Sequence, residues 1–285
     1  MKNKNFAIFI LTHKRADKVT TYNTLKKTNY KGPIYLIVDD KDPQLAKYQK
    51  NFGIDNVKVF NKKTIGKKFD IMDNFKDDGS PIFARNANFE IAKKMGIDYF
   101  WMLDDDYSSF TYRYTKKLEF VNVRVNRMEE LLDVLIDFYR KTNFKSIAVA
   151  QAGDFIGGDN GFIFSKLRIR KVMNTFICST KRPFKFKGKL NDDVNTYVDG
   201  ARRGDLFLTI PYVMVTQKQT QLTKGGLTEI YRKFGTYVKS FYTIMVNPAS
   251  VKIAPMGLAH PRLHHRICSN EVYQRILSEE YKKIT

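Results

Sequence analysis

Three consecutive carboxylates, Asp104, Asp105 and Asp106, close a short apolar run, Tyr99-Phe-Trp-Met-Leu103. Adjacent carboxylates repel one another unless a cation or solvent offsets their charge. A hard divalent cation carrying a phosphate-bearing substrate is the natural partner; a solvated acidic turn is the bland alternative. Further on, Asn191-Asp192-Asp193 precedes a helix expected from about Val194. Adjacent carboxylates at a helix start can supply a general base. Helix capping by Asn191 or Asp192 competes with that role. Asp39 and Asp40 end another apolar run and can accept hydrogen bonds from a nucleobase N–H or a ribose hydroxyl. An Asx turn into Asp42-Pro43 explains them equally simply. Thr12 and Arg15 follow the first apolar run, where a base or diphosphate would lie. Arg85 opens a helical stretch ahead of the triplet, and its guanidinium can grip a diphosphate bidentately. Both arginines also read as ordinary surface cations.

These residues need elements to hold them at one edge. Asn5–Leu11, Ile34–Val38, Val57–Phe60 and Tyr99–Leu103 read as short buried strands. Asp17 is placed to cap a helix running to about Lys27, and Gly32-Pro33 breaks the chain before the second strand. A helix over Ala84–Met95 closes at Gly96. Strands alternating with helices at this spacing predict a parallel, nucleotide-binding type of sheet, whose ligands sit at the carboxyl ends of the strands. A chain of 285 residues makes one large α/β domain or two small ones.

Charge narrows the partners. Fifty Lys and Arg against 29 Asp and Glu give a formal net charge of +21, a self-repulsion that points to an anionic partner, nucleic acid first and an anionic membrane second. The segment Asn160–Asn191 lacks acidic residues until Asp192. Within it, Lys181-Arg182-Pro-Phe-Lys185-Phe-Lys187-Gly-Lys189 interleaves cations with Phe184 and Phe186. In a strand the lysines would share one face and contact phosphates; a hairpin with its phenylalanines in the core is the alternative. Gly157-Gly158-Asp159-Asn160-Gly161 lacks the Walker spacing and reads as a loop near an acceptor. Arg113, Lys116, Lys117, Arg124 and Arg127 either extend the phosphate track or face solvent. Cys178 and Cys268 have no metal-type spacing and fit a reducing cytoplasm. The run Phe6–Leu11 is too short for a signal or a membrane span, so a cytoplasmic protein that does not engage a membrane is expected.

The ordered series Leu11-Thr-His-Lys-Arg15, Val38-Asp-Asp40, Ala84-Arg-Asn-Ala87 and Leu103-Asp-Asp-Asp106 resembles the nucleotide-sugar glycosyltransferases of GT-A fold. Asn191-Asp-Asp-Val-Asn-Thr-Tyr197 and Gly225-Gly-Leu-Thr-Glu-Ile-Tyr231 narrow the resemblance to the TET-associated glycosyltransferases of bacteriophages. It implies a single GT-A domain, a Rossmann-like mixed sheet flanked by helices. Residues 1–110 would form its nucleotide-sugar half and residues 111–285 its DNA-binding half. It implies a UDP-sugar donor and Mn²⁺ or Mg²⁺. The metal would be held by Asp106, Asp104 and a late histidine, for which His265 is chosen over His260 and His264. Thr12, Arg15, Asp39, Asp40, Arg85, Asp104 and Asp105 would bind the donor, and Asp192, preferred narrowly to Asp193, would be the base that takes the acceptor's proton. Lys181, Arg182, Lys185, Lys187 and Lys189 would meet DNA. The expected reaction moves arabinose or glucose onto 5-hydroxymethylcytosine or a related pyrimidine, by a monomer in the host cytoplasm. The alternatives are an enzyme of surface or lipid-linked glycans, a non-catalytic nucleic-acid-binding protein and a nucleotidyltransferase.

Overall fold

A computed structural model of the chain describes residues 5–73, 79–155, 175–217, 231, 233–235, 237–256 and 261–268. Strand β1 (Phe6–Leu11) lies between β2 (Ile34–Asp39) and β4 (Tyr99–Asp104), all parallel, with β3 (Val57–Phe60) outside β2. Every residue of β1 is buried, and alternation divides its side chains between two cores. Phe6, Ile8 and Ile10 pack with the helices α1 (Thr20–Lys27), α2 (Leu45–Phe52) and α5 (Met128–Arg140). Ala7, Phe9 and Leu11 pack with α3 (Lys62–Gly66), α4 (Ile82–Lys94) and α6 (Asp192–Arg202). The mixed α/β sheet flanked by helices is therefore the one expected. Helix α4 ends close to the predicted boundary, with Gly96 at φ 68°, a left-handed turn that suits glycine.

The sheet runs in the order β3-β2-β1-β4-β8-β7-β9-β5-β6, with β5 (Tyr107–Tyr114), β6 (Phe120–Arg124), β7 (Ser146–Gln151), β8 (Phe176–Ser179) and β9 (Phe207–Gln217). It is thus continuous across residue 110. Four strand spacings separate β4 from β5, about 19 Å in a flat sheet. Only Asp105 and Asp106 connect these strands, and three Cα–Cα steps reach about 11 Å at most. The sheet must fold over. The crease lies in β9, whose pairing with β7 shifts register between Ile210 and Met214 and whose later residues also pair with β5. The acidic triplet sits where the two layers meet.

Two local expectations are corrected. Asp17 does not cap α1: Val19 holds that position, and the Asp17 carboxylate pairs with Lys47 and takes a hydrogen bond from Asn51. Helix α6 begins at Asp192 rather than Val194. After it, α7 (Val238–Val246) packs against a separate two-stranded ribbon, β10 (Val251–Met256) and β11 (Arg262–Ile267).

Candidate active site

The parallel register places Leu11 beside Asp104 and Leu11 beside Ile37, so Thr12, Asp39 and the triplet emerge at one edge. Helix α1 clamps the backbone of the triplet. The Thr21 hydroxyl donates to the Asp104 carbonyl (2.6 Å) and accepts from the Tyr107 amide (2.9 Å), while the Thr21 amide donates to the Asp105 carbonyl (3.1 Å).

The three acids then diverge. Asp105 is buried and turned inward, where it accepts from the Thr12 hydroxyl (2.7 Å) and from Arg15 (2.8 Å). Burial raises its pKa, against Arg15 and Thr12. Thr12 also shares a hydrogen bond with the Tyr48 hydroxyl (2.8 Å), so Thr12, Arg15, Tyr48 and Asp105 form one rigid set. Asp104 lies 3.4 Å from Arg85. Asp106 accepts a 3.4 Å hydrogen bond from Gln217 at the end of β9, while its Oδ1 is buried without a partner. Burial, then the charges of Asp104 and Asp105, push its pKa up to about 7. A buried carboxylate oxygen with no donor, beside two like charges, is chemistry a divalent cation would satisfy. The residues present fit such an ion.

Arg85 links the two acidic clusters. It is fully buried on α4, between Asp192 (2.9 Å) and Asp104, and over the rings of Phe176 and Phe186. Burial alone would lower its pKa; Asp192 and Asp104 more than reverse that. Asp192 is equally buried, and burial pushes its pKa up against the pull of Arg85. Asp193, the next residue on α6, is partly exposed. Asn191 occupies the N-cap position at φ 60° but makes no capping bond. Its amide instead donates to Thr243 (2.7 Å) and meets His265 Nδ1 (3.2 Å). His265 therefore lies against the loop that carries Asp192. Among the described residues, the one group of three bringing its ligand atoms within 4.8 Å is His13, Asp39 and Asp42; Asp104, Asp106 and His265 do not close to that distance.

The His13 group was not singled out as a site, although its spacing across strands β1 and β2 brings it together. His13 Nδ1 lies 3.0 Å from Asp39 and 2.9 Å from Asp42, without a well-aligned bond to either. Lys62 reaches Asp39 at 3.2 Å. Asp39, then Asp42, raise the His13 pKa to about 8. Burial would raise Asp39, but His13 and Lys62 prevail and hold it at about 2. The imidazolium is thus the resident cation, and a metal would have to displace its proton. Its contribution to stability is complete below pH 6.5 and is lost as pH rises through 8. After discounting for solvent, that loss is about 1 kcal/mol. Thermal melts between pH 6.5 and 8.5 should show it, and His13→Gln should flatten the slope; an unchanged slope would assign the effect elsewhere. Asp40 faces away, accepting from Asn61 (2.5 Å) and the Lys62 amide (3.2 Å).

Most of the expected DNA-contacting cations are engaged within the protein. The segment from Lys181 to Leu190 contains no strand. Arg182 donates to the Thr142 and Tyr139 carbonyls and lies over the Tyr139 ring, binding the end of α5. Lys187 pairs with Asp199 (2.9 Å), and buried Lys189 pairs with Asp73 (2.9 Å). Phe186 is in the core and Phe184 packs against it. Only Lys181 and Lys185 of the five are exposed. The cation track expected along this segment is thereby corrected. Arg113 is likewise buried, over Phe120 and Phe155. Gly157–Gly161, Lys166, Arg168, Arg170, Lys171, Gly225, Gly226 and His260 lie outside the described residues.

Residues 6–226 match the sequence profile of the TET-associated glycosyltransferases. The chain belongs to that family. This TET-associated glycosyltransferase matches no curated protein sequence. Its fold is similar to glucosyl-3-phosphoglycerate synthase from Mycobacterium tuberculosis, crystallised with Mn²⁺, UDP and phosphoglyceric acid, at 9% identity over 93% of this chain and 88% of that one, with a TM-score of 0.46. A mannosyltransferase from Pyrobaculum calidifontis with GDP-mannose and Mn²⁺ is similar at 11% identity, 85% and 64% coverage and a TM-score of 0.48. TarS of S. aureus, residues 1–349, follows at 13% identity, 84% and 65% coverage and 0.41. The predicted glycosyltransferase class is thus carried by the family, and the loose structural likenesses add no detail to the site.

Proposed function

We propose that this glycosyltransferase moves a sugar from a UDP-sugar to the hydroxyl of 5-hydroxymethylcytosine, or a related hydroxymethylated pyrimidine, in DNA. The observation that carries this reading is the meeting of Arg15, Arg85, the acidic triplet and the Asp192-Asp193 pair at one sheet edge, in a chain of this family.

In this reading the His13-Asp39-Asp42 group and Thr12 receive the nucleoside, and Arg15 the diphosphate. Asp106 would hold the divalent cation with Asp104 beside it. His265, anchored by Asn191, would have to approach these acids to serve as a third ligand. Bound there, Mn²⁺ or Mg²⁺ would neutralise charge on the departing diphosphate. The base is reassigned. Asp192 is buried and occupied by Arg85, so it positions that guanidinium, whereas Asp193 keeps an open carboxylate one residue away. Asp193 takes the proton of the acceptor hydroxyl as that oxygen attacks the anomeric carbon. Asp193→Asn is expected to lower kcat by about 10²–10⁴-fold with the KM for donor nearly unchanged.

The test is UDP release with Mn²⁺, a panel of UDP-sugars, and duplex DNA with or without 5-hydroxymethylcytosine, followed by mass spectrometry of digested nucleosides. Release that requires the modified base, with one pentose or hexose gained, supports the reading. Donor turnover indifferent to DNA would move the acceptor to a glycan or lipid.

A further inference from the structure

A second set of available cations lies further along the chain. From Ile230 to Asn270 the chain has no acidic residue and six Lys or Arg: Arg232, Lys233, Lys239, Lys252, Arg262 and Arg266. Three of them are on the β10–β11 ribbon, whose antiparallel register pairs Val251 with Ile267, Lys252 with Arg266, Ile253 with His265, and Met256 with Arg262. Directly opposed residues share a face, and the faces alternate. One face therefore presents Val251, Ile253, His265 and Ile267. Val251 is buried there, and Ile267 packs against the same core. The other face presents Lys252, Arg266, Met256 and Arg262, all exposed.

Lys252 and Arg266 are like charges placed directly across from each other, an arrangement that costs stability in an isolated sheet. Neither they nor Arg262 makes an ion pair among the described residues. This contrasts with Arg182, Lys187 and Lys189, whose charges are met internally. Exposed, without an ion pair among the described residues and facing one another across the ribbon, these cations form a compact site for an external anion.

We infer that the outer face of this ribbon seats the phosphate backbone of duplex DNA. The inference rests on the proposed acceptor. Arg262 and Arg266 are four residues apart in an extended strand, about 13 Å, close to the roughly 12 Å width of a major groove. That groove admits a two-stranded ribbon, and it is where a substituent at C5 of a pyrimidine lies. The inner face connects to the chemistry. His265 on that face meets Asn191, which precedes Asp192 and Asp193. The ribbon that carries the outer cations is thereby anchored beside the helix that carries the base, and DNA across its outer face lies about one strand's thickness from that helix.

The substitution Lys252→Glu separates a DNA contact from a structural role, because it replaces a cross-strand repulsion with an ion pair to Arg266. It is expected to hold or raise Tm while raising the KM for hydroxymethylcytosine duplex about tenfold, with kcat at saturating DNA and UDP-sugar hydrolysis without DNA unchanged. Arg262→Ala with Arg266→Ala should weaken duplex binding in fluorescence anisotropy and lower the slope of log K against log salt by about 2. A wild-type enzyme that modifies DNA, with KM and salt slope unmoved in both variants, overturns the ribbon assignment and leaves the acceptor intact. A wild type that neither binds nor modifies DNA overturns both. Binding to vesicles of anionic phospholipid in place of DNA, lost in the same variants, would overturn the nucleic-acid assignment in favour of a membrane.

Discussion

Asp106→Asn is expected to abolish useful turnover, lowering it by about 10²–10³-fold or more, while making the metal-free protein more stable. Both effects have one cause. Asp106 Oδ1 is buried without a donor, and Asp104 and Asp105 are its immediate neighbours. Removing one of three mutually repelling charges should relieve on the order of 2 kcal/mol, a rise of several degrees in Tm. Added Mn²⁺ should raise the Tm of the wild type and leave that of the variant unmoved. A variant that keeps its activity, or that still answers to Mn²⁺, would remove Asp106 from the metal site.

The second large effect is on folding itself. Arg85→Ala leaves Asp192 buried without its partner and removes the cation from the rings of Phe176 and Phe186. Breaking a buried pair from one side costs about 3–5 kcal/mol, which corresponds to a fall in Tm of about 10 °C. Adding Asp192→Asn should recover part of that loss, since the stranded charge goes with it. A single variant melting within 2 °C of the wild type would show that the pair is not what holds α4 to α6.

The parallel core was legible because its signals are local. Phe6–Leu11, Ile34–Asp39 and Val57–Phe60 are short apolar runs bounded by polar or turn residues, and Gly96 announces the end of α4. The carboxyl-edge position of the triplet followed from the same pattern. What was misread depends on partners distant in the chain. Lys189 looks like a surface cation until Asp73 is brought to it from 116 residues away. Asp17 looks like a cap until Lys47 claims its carboxylate. The choice between Asp192 and Asp193 likewise has no local signal, since the pairing of Asp192 with Arg85 is visible only in the fold. His13 is a single histidine in sequence; its meaning depends on strand β2 lying alongside β1. No local signal marks Gln217, whose part follows from the crease in β9.

That crease also sets a timetable. Strand β5 leaves the triplet early in the chain and pairs at once with β6 on one edge, but the partner of its other edge, β9, arrives only at residues 213–217, roughly a hundred residues later. At synthesis rates of about 5–20 residues per second, that interval lasts on the order of 5–20 s. Throughout it, an aromatic-rich strand stands beside a half-built sheet with that edge unpaired, a template for pairing with another chain. The N-terminal half therefore cannot complete its own catalytic edge as it emerges, and splitting the gene before β9 should give a fragment that aggregates rather than a smaller nucleotide-binding protein.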